Sequence, residues 1–113
     1  MTTRNRQVVA LVGDLMDRSK ITAAAGDAEV VCKAPTPGAV AGLDLGAVDL
    51  VVVDLARPTS IAAVEAVRAR TDARIVGFGS HVDRERLADA EAAGSTEVLP
   101  RSKFFGDLSA VLG

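Results

Sequence analysis

Five short apolar runs alternate along the chain with longer segments in which apolar residues recur at helical spacing. The runs cover residues 7–12, 29–32, 50–53, 74–78 and 97–99. The run VVVDL is apolar without alternation, which is typical of a strand that is buried on both faces of a parallel sheet. The pattern therefore predicts a strand followed by a helix, five times over.

The intervening segments carry signals for where helices begin and end. Thr36 followed by Pro37 predicts an N-cap and a first helical residue. Gly26 and Gly94 each follow alanine-rich stretches and are typical of residues just beyond a helix end.

Two helical segments also show which side faces the core. After Pro58, the residues at one-turn spacing are Ile61, Val64 and Val67. In the last segment the i, i+4, i+7, i+8 pattern is formed by Phe104, Leu108, Val111 and Leu112. This second pattern predicts one amphipathic closing helix.

Strands that alternate with helices through short links predict right-handed crossovers and an open, doubly wound sheet. For five strands we expect the flavodoxin-like α/β sandwich of three layers, with a parallel sheet in the order 2-1-3-4-5 and helices on both faces. The loops after the carboxyl ends of the strands then line one crevice, where ligands gather. They are residues 13–18, 54–57, 79–82 and 100–103. No linker or repeat interrupts the pattern, so residues 1–113 are expected to form a single domain without an attached effector.

Composition narrows the partners and the compartment. The chain has 113 residues, of which 49% are hydrophobic and 25% charged, enough for one packed core. No apolar run approaches the roughly 20 residues of a membrane span. A lone Cys32 without an export signal favours the cytoplasm. The formal net charge of −2, the interleaved charges and only 3% aromatic residues argue against nucleic-acid binding.

Two aspartates are the first candidates for chemistry. Asp14 follows the first strand and Asp54 ends the third, and these strands are neighbours in the expected sheet. Paired carboxylates could hold Mg²⁺, or one could act as a nucleophile toward a phosphoryl donor, although two acids are few for a divalent cation. No nucleotide, flavin, corrinoid or hydrolase motif is present. We therefore expect no cofactor, with weak Mg²⁺ binding left open, and no enzyme activity.

The segment VDLVVVDLARP, residues 48–58, resembles the third-strand signature of response-regulator receiver domains, the CheY-like proteins of two-component systems. In that signature an aspartate ends the strand and a proline follows four residues later, so Asp54 would occupy the phosphoacceptor position. GSTEVLP resembles the stretch that leads into the fifth strand of the family. The resemblance covers essentially the whole chain in element order and implies a role in signal transduction.

The chain also departs from the receiver pattern at three places. Receivers have two adjacent acids after the first strand, where this chain has Gly13 and Asp14. The Thr or Ser after the fourth strand is replaced by Gly79, with Ser80 one position on, and the Lys after the fifth strand is replaced by Arg101. The resemblance therefore implies a pseudo-receiver that lacks the second acid, the hydroxyl and the lysine.

Our leading hypothesis is a stand-alone degenerate receiver that binds another protein and does not switch by phosphorylation. An ion pair between Arg101 and Asp54 would hold its crevice in one state, since arginine can meet a carboxylate with two hydrogen bonds. Two alternatives concern Asp54 itself. It could be only a capping or ion-pairing residue, or it could be the phosphoacceptor of a receiver with a relaxed site.

A further alternative is a sensor for a small anion or a phospho-metabolite. Its pocket would use Arg18, Ser80, His81 and Arg101, with backbone amides at the start of the fourth helix. The competing interpretation, which we favour, is that Ser80 caps that helix with Asp83 at capping-box spacing and that His81 points to solvent.

Phe104 and Phe105 are adjacent, so a helix cannot bury both on one line of its core face. This predicts that one ring is an exposed anchor for a protein partner or a second copy. The contact would involve the last strand and the last two helices.

Overall fold

The computed structural model describes residues 5–113. Its strands are β1 (Gln7–Leu11), β2 (Glu29–Lys33), β3 (Leu50–Asp54), β4 (Arg74–Gly79) and β5 (Glu97–Pro100). Its helices are α1 (Leu15–Ala24), α2 (Pro37–Ala41), α3 (Ser60–Arg68), α4 (Arg84–Ala92), α5 (Arg101–Gly106) and α6 (Leu108–Leu112). Each strand lies within one residue of the run that predicted it.

The five strands form one parallel sheet in the order β2-β1-β3-β4-β5. This confirms the flavodoxin-like order expected from the sequence. All five residues of β3 are buried, which is why its run is apolar without alternation. The carboxyl ends of β1, β3 and β4 meet at the middle of one edge.

Helices pack on both faces of the sheet and create two separate hydrophobic clusters. Successive residues of β3 point to opposite faces, so Val51 and Val53 join one cluster while Leu50 and Val52 join the other. Full burial of such a side chain contributes about 1.5–3 kcal/mol of stabilisation. These layers hold the strand ends in fixed positions.

The predicted helix signals act as expected in the middle of the chain. The hydroxyl oxygen of Thr36 accepts a hydrogen bond from the Ala39 N–H at 3.1 Å, and Pro37 is the first residue of α2. On α3, Val64 and Val67 are fully buried. None of the helices in the described part of the chain is long and apolar enough to cross a membrane.

The prediction of one continuous closing helix is wrong. The segment divides into α5 and α6 at Asp107, whose φ of −139° and ψ of 48° are not helical. Gly106 and Asp107 have low helix propensity, and their effect outweighs the amphipathic pattern on either side. Phe104 and Leu112 are nevertheless buried, as the spacing predicted.

Gly94 provides a test of how tightly the turn after α4 is packed. Its φ is +123°, and a Cβ at this position would lie 2.7 Å from Cγ of Arg68. The Arg68 side chain cannot easily withdraw, because it donates to the carbonyls of Gly94, Thr71 and Ala73 at 2.9–3.0 Å. We therefore expect Gly94→Ala to lower the free energy of unfolding by about 1–3 kcal/mol in urea denaturation.

Two glycines serve as matched controls for this substitution. Gly26 has a φ of +62°, and a Cβ added there would meet no atom within 4 Å, so Gly26→Ala measures backbone strain alone. Gly38 lies in α2 with open space around it, so Gly38→Ala should not destabilise the protein. Equal losses for Gly94→Ala and Gly26→Ala would show that the contact with Arg68 has no energetic weight.

Candidate functional site

A cavity of about 510 Å³ opens at the carboxyl edge of the sheet. It is lined by the loops after β3 and β4, by α5 and by one residue of α1. The lining residues are Lys20, Asp54, Ala56, Phe78, Gly79, Ser80, His81, Arg101, Ser102 and Phe105. Two loops and two helices that are far apart in sequence are therefore brought together at the edge that the sheet order predicted.

Asp54 lies at the end of β3 and is only 8% exposed. One of its carboxylate oxygens, Oδ1, accepts a hydrogen bond from the Ala56 N–H at 3.0 Å. This bond turns the carboxylate toward its own loop. The predicted position of Asp54 in the crevice is thus the observed one.

Asp14 serves a different purpose from Asp54. It is the N-cap of α1, and its Oδ1 accepts a hydrogen bond from the Asp17 N–H at 2.9 Å. Asp14 is exposed and is not among the residues that line the cavity. Its negative charge nevertheless acts on Arg101, since it helps to raise the pKa of that guanidinium.

The ion pair predicted between Arg101 and Asp54 is replaced by a pair between Arg101 and Asp17. The two terminal nitrogens of Arg101 donate to the two carboxylate oxygens of Asp17 at 2.9 and 2.6 Å. The Asp17 side chain is only 4% exposed, whereas that of Arg101 is 49% exposed. A buried carboxylate without a partner is costly, and Asp17 is the more deeply buried of the two acids, so Asp17 gains more from the guanidinium than Asp54 does.

The electrostatics of the site centre on this pair. Hydrogen bonding to Asp17 raises the pKa of the Arg101 guanidinium above its ordinary value, against the opposing effect of desolvation. The negative charges of Asp17, Asp54 and Asp14 add to the increase in the pKa of Arg101. Arg101 therefore carries a permanent positive charge among three acids but forms its direct contacts with one.

Aromatic rings form the floor beneath Arg101. Phe78 stacks on Phe104 with ring centroids 4.4 Å apart, and Phe105 meets both rings edge-on at 5.2 and 4.9 Å. The Arg101 guanidinium lies 4.7 Å from the centroid of Phe105, and the Lys20 ammonium lies 5.5 Å from it. Both cations thus sit within cation–π distance of one ring.

This arrangement contradicts the expectation that one of the two adjacent phenylalanines is an exposed anchor. Phe104 is fully buried and Phe105 is partly buried. The expectation considered only the core face of a helix, but the ring of Phe78 at the end of β4 gives Phe105 a second apolar surface to cover.

Ser80 does not cap α4, so the capping interpretation is wrong for this residue. The N-cap is Asp83, whose Oδ1 accepts a hydrogen bond from the Arg86 N–H at 3.2 Å. The Ser80 hydroxyl oxygen accepts from the Val82 N–H at 3.4 Å, within the loop. His81 is exposed, as that interpretation expected, and lies on the rim of the cavity.

Arg18 is the one residue of the anion-pocket hypothesis that the structure places elsewhere. Its Nε donates a hydrogen bond to the Val12 carbonyl, and it does not line the cavity. Lys20, two residues further along α1, lines the cavity instead. Two residues of an α-helix turn the chain by about 200°, so these two side chains point to different surroundings.

The residues present do not fit a divalent cation of the kind that receivers hold. Gly13 offers no carboxylate, and a Cβ at that position would lie 3.3 Å from Nη2 of Arg57. A positive guanidinium group therefore lies beside Gly13, while Asp14 and Asp54 each use Oδ1 to accept a backbone hydrogen bond. Mg²⁺ needs several oxygen ligands in near-octahedral geometry. Within residues 5–113, no three acid, histidine or cysteine side chains cluster as a metal site.

Asp17 and Arg57 are two residues beside the site that the sequence analysis did not single out. For Asp17 a signal was present, because it precedes Ile21 by four residues and so shares the buried side of α1. An acid on a core-facing line of a helix indicates a buried ion pair. For Arg57 no comparable signal exists, because its neighbour Gly13 lies in a different loop, after β1.

No family model matches the chain, and no curated protein matches it either. Solved structures do. The chemotaxis protein CheY4 of Vibrio cholerae is 22% identical, with 96% of this chain and 97% of that chain covered and a TM-score of 0.80. A response regulator from Hahella chejuensis is 19% identical, with 96% and 92% covered and a TM-score of 0.80.

A response regulator from Thermotoga maritima is similar to the same degree, with 16% identity, 96% and 95% of the two chains covered and a TM-score of 0.78. At such identities the likeness concerns the arrangement of the backbone. Together with the parallel sheet in the order 2-1-3-4-5, it shows that this chain has the CheY-like, flavodoxin-like fold of response-regulator receiver domains.

Proposed function

We propose that this chain is a degenerate receiver that acts in cytoplasmic signalling by binding another protein, without catalysis and without switching by phosphorylation of Asp54. The observation that carries the proposal is the bidentate pair between Arg101 and Asp17. It holds the Arg101 guanidinium on a buried acid rather than on the carboxylate that would receive a phosphoryl group.

The pair supports a fixed state for an energetic reason. Moving Arg101 to a phosphoryl group on Asp54 would leave Asp17 charged and almost fully buried. Loss of one partner of a buried ion pair costs far more than the pair itself contributes. An anion on Asp54 would therefore have to offset this cost before it could attract Arg101.

Gly79, at the end of β4, carries no side chain that could report on Asp54. Gly79 has no hydroxyl to donate, and the Ser80 hydroxyl oxygen accepts a bond from its own loop. Phe78, Phe104 and Phe105 already contact one another, so no ring is free to swing between two positions. These features support a site that is held in one arrangement.

A protein partner is supported by apolar side chains exposed at the same edge of the sheet. Leu15 and Met16, at the start of α1, are 76% and 70% exposed, and Val82 in the loop before α4 is 75% exposed. Large apolar side chains left in water around a cleft are typical of contact surfaces. They take the place that Phe105 was expected to have.

Incubation with acetyl phosphate and Mg²⁺, followed by intact-mass measurement, tests the absence of phosphorylation. We expect the unmodified mass to dominate, because the metal ligands are incomplete. Asp54→Asn is the matched control for any minor adduct. Stoichiometric addition of one phosphate that Asp54→Asn abolishes would instead identify a phosphorylatable receiver with a relaxed site.

A second test separates the observed ion pair from a pair with Asp54. We expect Asp17→Asn to lower the free energy of unfolding by about 1–3 kcal/mol, since it removes a charge-assisted bidentate contact. Asp54→Asn should cost less, because among residues 5–113 Asp54 accepts one side-chain hydrogen bond and pairs with no guanidinium. Arg101→Gln should not add to the effect of Asp17→Asn in the double variant. If Asp54→Asn lowered the free energy of unfolding more than Asp17→Asn, the assignment of the ion pair of Arg101 to Asp17 would be wrong.

The cavity favours a second candidate function, the sensing of a small anion. Lys20 and Arg101 converge on one aromatic ring at its floor, and the Ser80, Ser102 and His81 side chains line its walls. Phosphate, sulfate and sugar phosphates are the probes. In thermal-shift assays, a ligand at 100 times its dissociation constant should add about 2.7 kcal/mol of stability. Lys20→Ala should abolish the shift, and an unchanged melting temperature with every probe would rule against this function.

A further inference from the structure

Strand β2 lies at one edge of the sheet, and in the described part of the chain no strand lies beyond it. The Glu29 N–H donates to the Arg6 carbonyl at 2.8 Å, and the Lys33 carbonyl accepts from the Val12 N–H at 2.9 Å. Residues 29, 31 and 33 therefore direct their backbone groups toward β1. Alternation along the strand points the N–H and C=O groups of Val30 and Cys32 outward.

The side chains of β2 form a self-complementary series. The strand reads Glu29, Val30, Val31, Cys32, Lys33, with an acid at one end, a base at the other and apolar residues between. If the strand is reversed about Val31, acid meets base and each apolar residue meets an apolar residue. A surface that is complementary to itself is the requirement for a two-fold symmetric contact.

Val31 is the most exposed apolar side chain of this strand. It is 42% exposed, one of four large apolar side chains that are exposed in the described residues. It also lines a cavity of about 250 Å³ between the edge of the sheet and the loop after α2, where Val9, Leu43 and Val48 lie. Helix α2 has only five residues and leaves this part of the face open.

We propose that β2 is a homodimerisation edge, at which a second copy of this chain adds its own β2 in antiparallel orientation about Val31. The two sheets then form one continuous ten-stranded sheet. The occupant is a second copy because the charges of β2 complement those of β2 itself. This interface is distinct from the cavity and from the last strand and helices.

The backbone geometry agrees with this register. Val30 and Cys32, whose backbone groups point outward, lie opposite Cys32 and Val30 of the second copy and exchange N–H to C=O hydrogen bonds with them. Val31 then faces Val31 of the second copy as a non-hydrogen-bonded pair, with Cα atoms about 4.5 Å apart, the spacing at which side chains approach most closely.

The same register also places each charged residue at the ends of the strand opposite a residue of the other charge. Glu29 faces Lys33 of the second copy, and the two-fold axis repeats this pair. Within its own chain, Glu29 uses Oε2 to accept a hydrogen bond from Nε2 of Gln7 at 2.6 Å, which leaves its other oxygen for the lysine. Opposite charges on directly facing strand positions stabilise pairing, and like charges oppose it.

Disulfide trapping tests the register directly. Cys32 is the only cysteine of the chain, so Cys32→Ser gives a background without thiols. In that background we expect Val31→Cys to form a covalent dimer under mild oxidation, because the facing Cα atoms lie within the range for a disulfide. Glu29→Cys in the same background is the control, since the two copies of position 29 would be about 13 Å apart along the strands. Equal rates of crosslinking for the two variants would overturn the proposal.

Charge exchange provides a test that needs no oxidation. Light scattering over a concentration series should show a monomer–dimer equilibrium for the natural chain. Glu29→Lys should weaken the dimer at least about tenfold, because both symmetric pairs become repulsive. Glu29→Lys combined with Lys33→Glu should restore it, and circular dichroism would show that both variants are folded. A strictly monomeric natural chain, or a dimer that is insensitive to the single change, would overturn the proposal.

Discussion

The carboxylate of Asp17 lies on the buried side of α1, and its need for a partner organises the crevice around it. A charge so removed from water is tolerated only with close, well-directed donors. Arg101 supplies them from the first residue of α5, where a positive charge is otherwise disfavoured by the helix dipole. The pair thereby ties the start of α5 to α1 across the open end of the sheet.

The position that this pair gives to the Arg101 guanidinium determines how the rest of the crevice is arranged. Arg101 lies over Phe105, whose ring packs edge-on against Phe78 and Phe104, so the cation and the three rings form one connected unit. Asp54 lies beside this unit and is stabilised by its own loop. The guanidinium and the three rings are thus each held by contacts with the others.

The two edges of the sheet are protected to different degrees. At β5, the last strand, Arg74 of the neighbouring strand β4 pairs with Glu97, and its guanidinium also donates to the carbonyl of Val111 in α6. At β2 the equivalent cover is a five-residue helix and a loop. An open edge strand presents unpaired backbone groups with which another strand can pair. The charges on β2 are placed so that they would favour one antiparallel register.

The sequence by itself determined the elements and their order. Apolar runs such as VVVDL, the Thr36–Pro37 signal and the glycines after helices are local features, and a parallel sheet with short links allows few topologies. It also determined that Asp54, Gly79 and Arg101 would share one edge, since the carboxyl ends of parallel strands must meet there.

Only the tertiary structure decided which acid Arg101 would pair with, which side of Phe105 would be covered and what would lie beside Gly13. Each of these depends on side chains from different elements that approach within a few ångströms. A shift of one helical turn in α1 or α5 would exchange the partners without changing the pattern of the sequence. The free energy of burying a charge or a ring selects among such arrangements, and it depends on the packed neighbours rather than on sequence spacing.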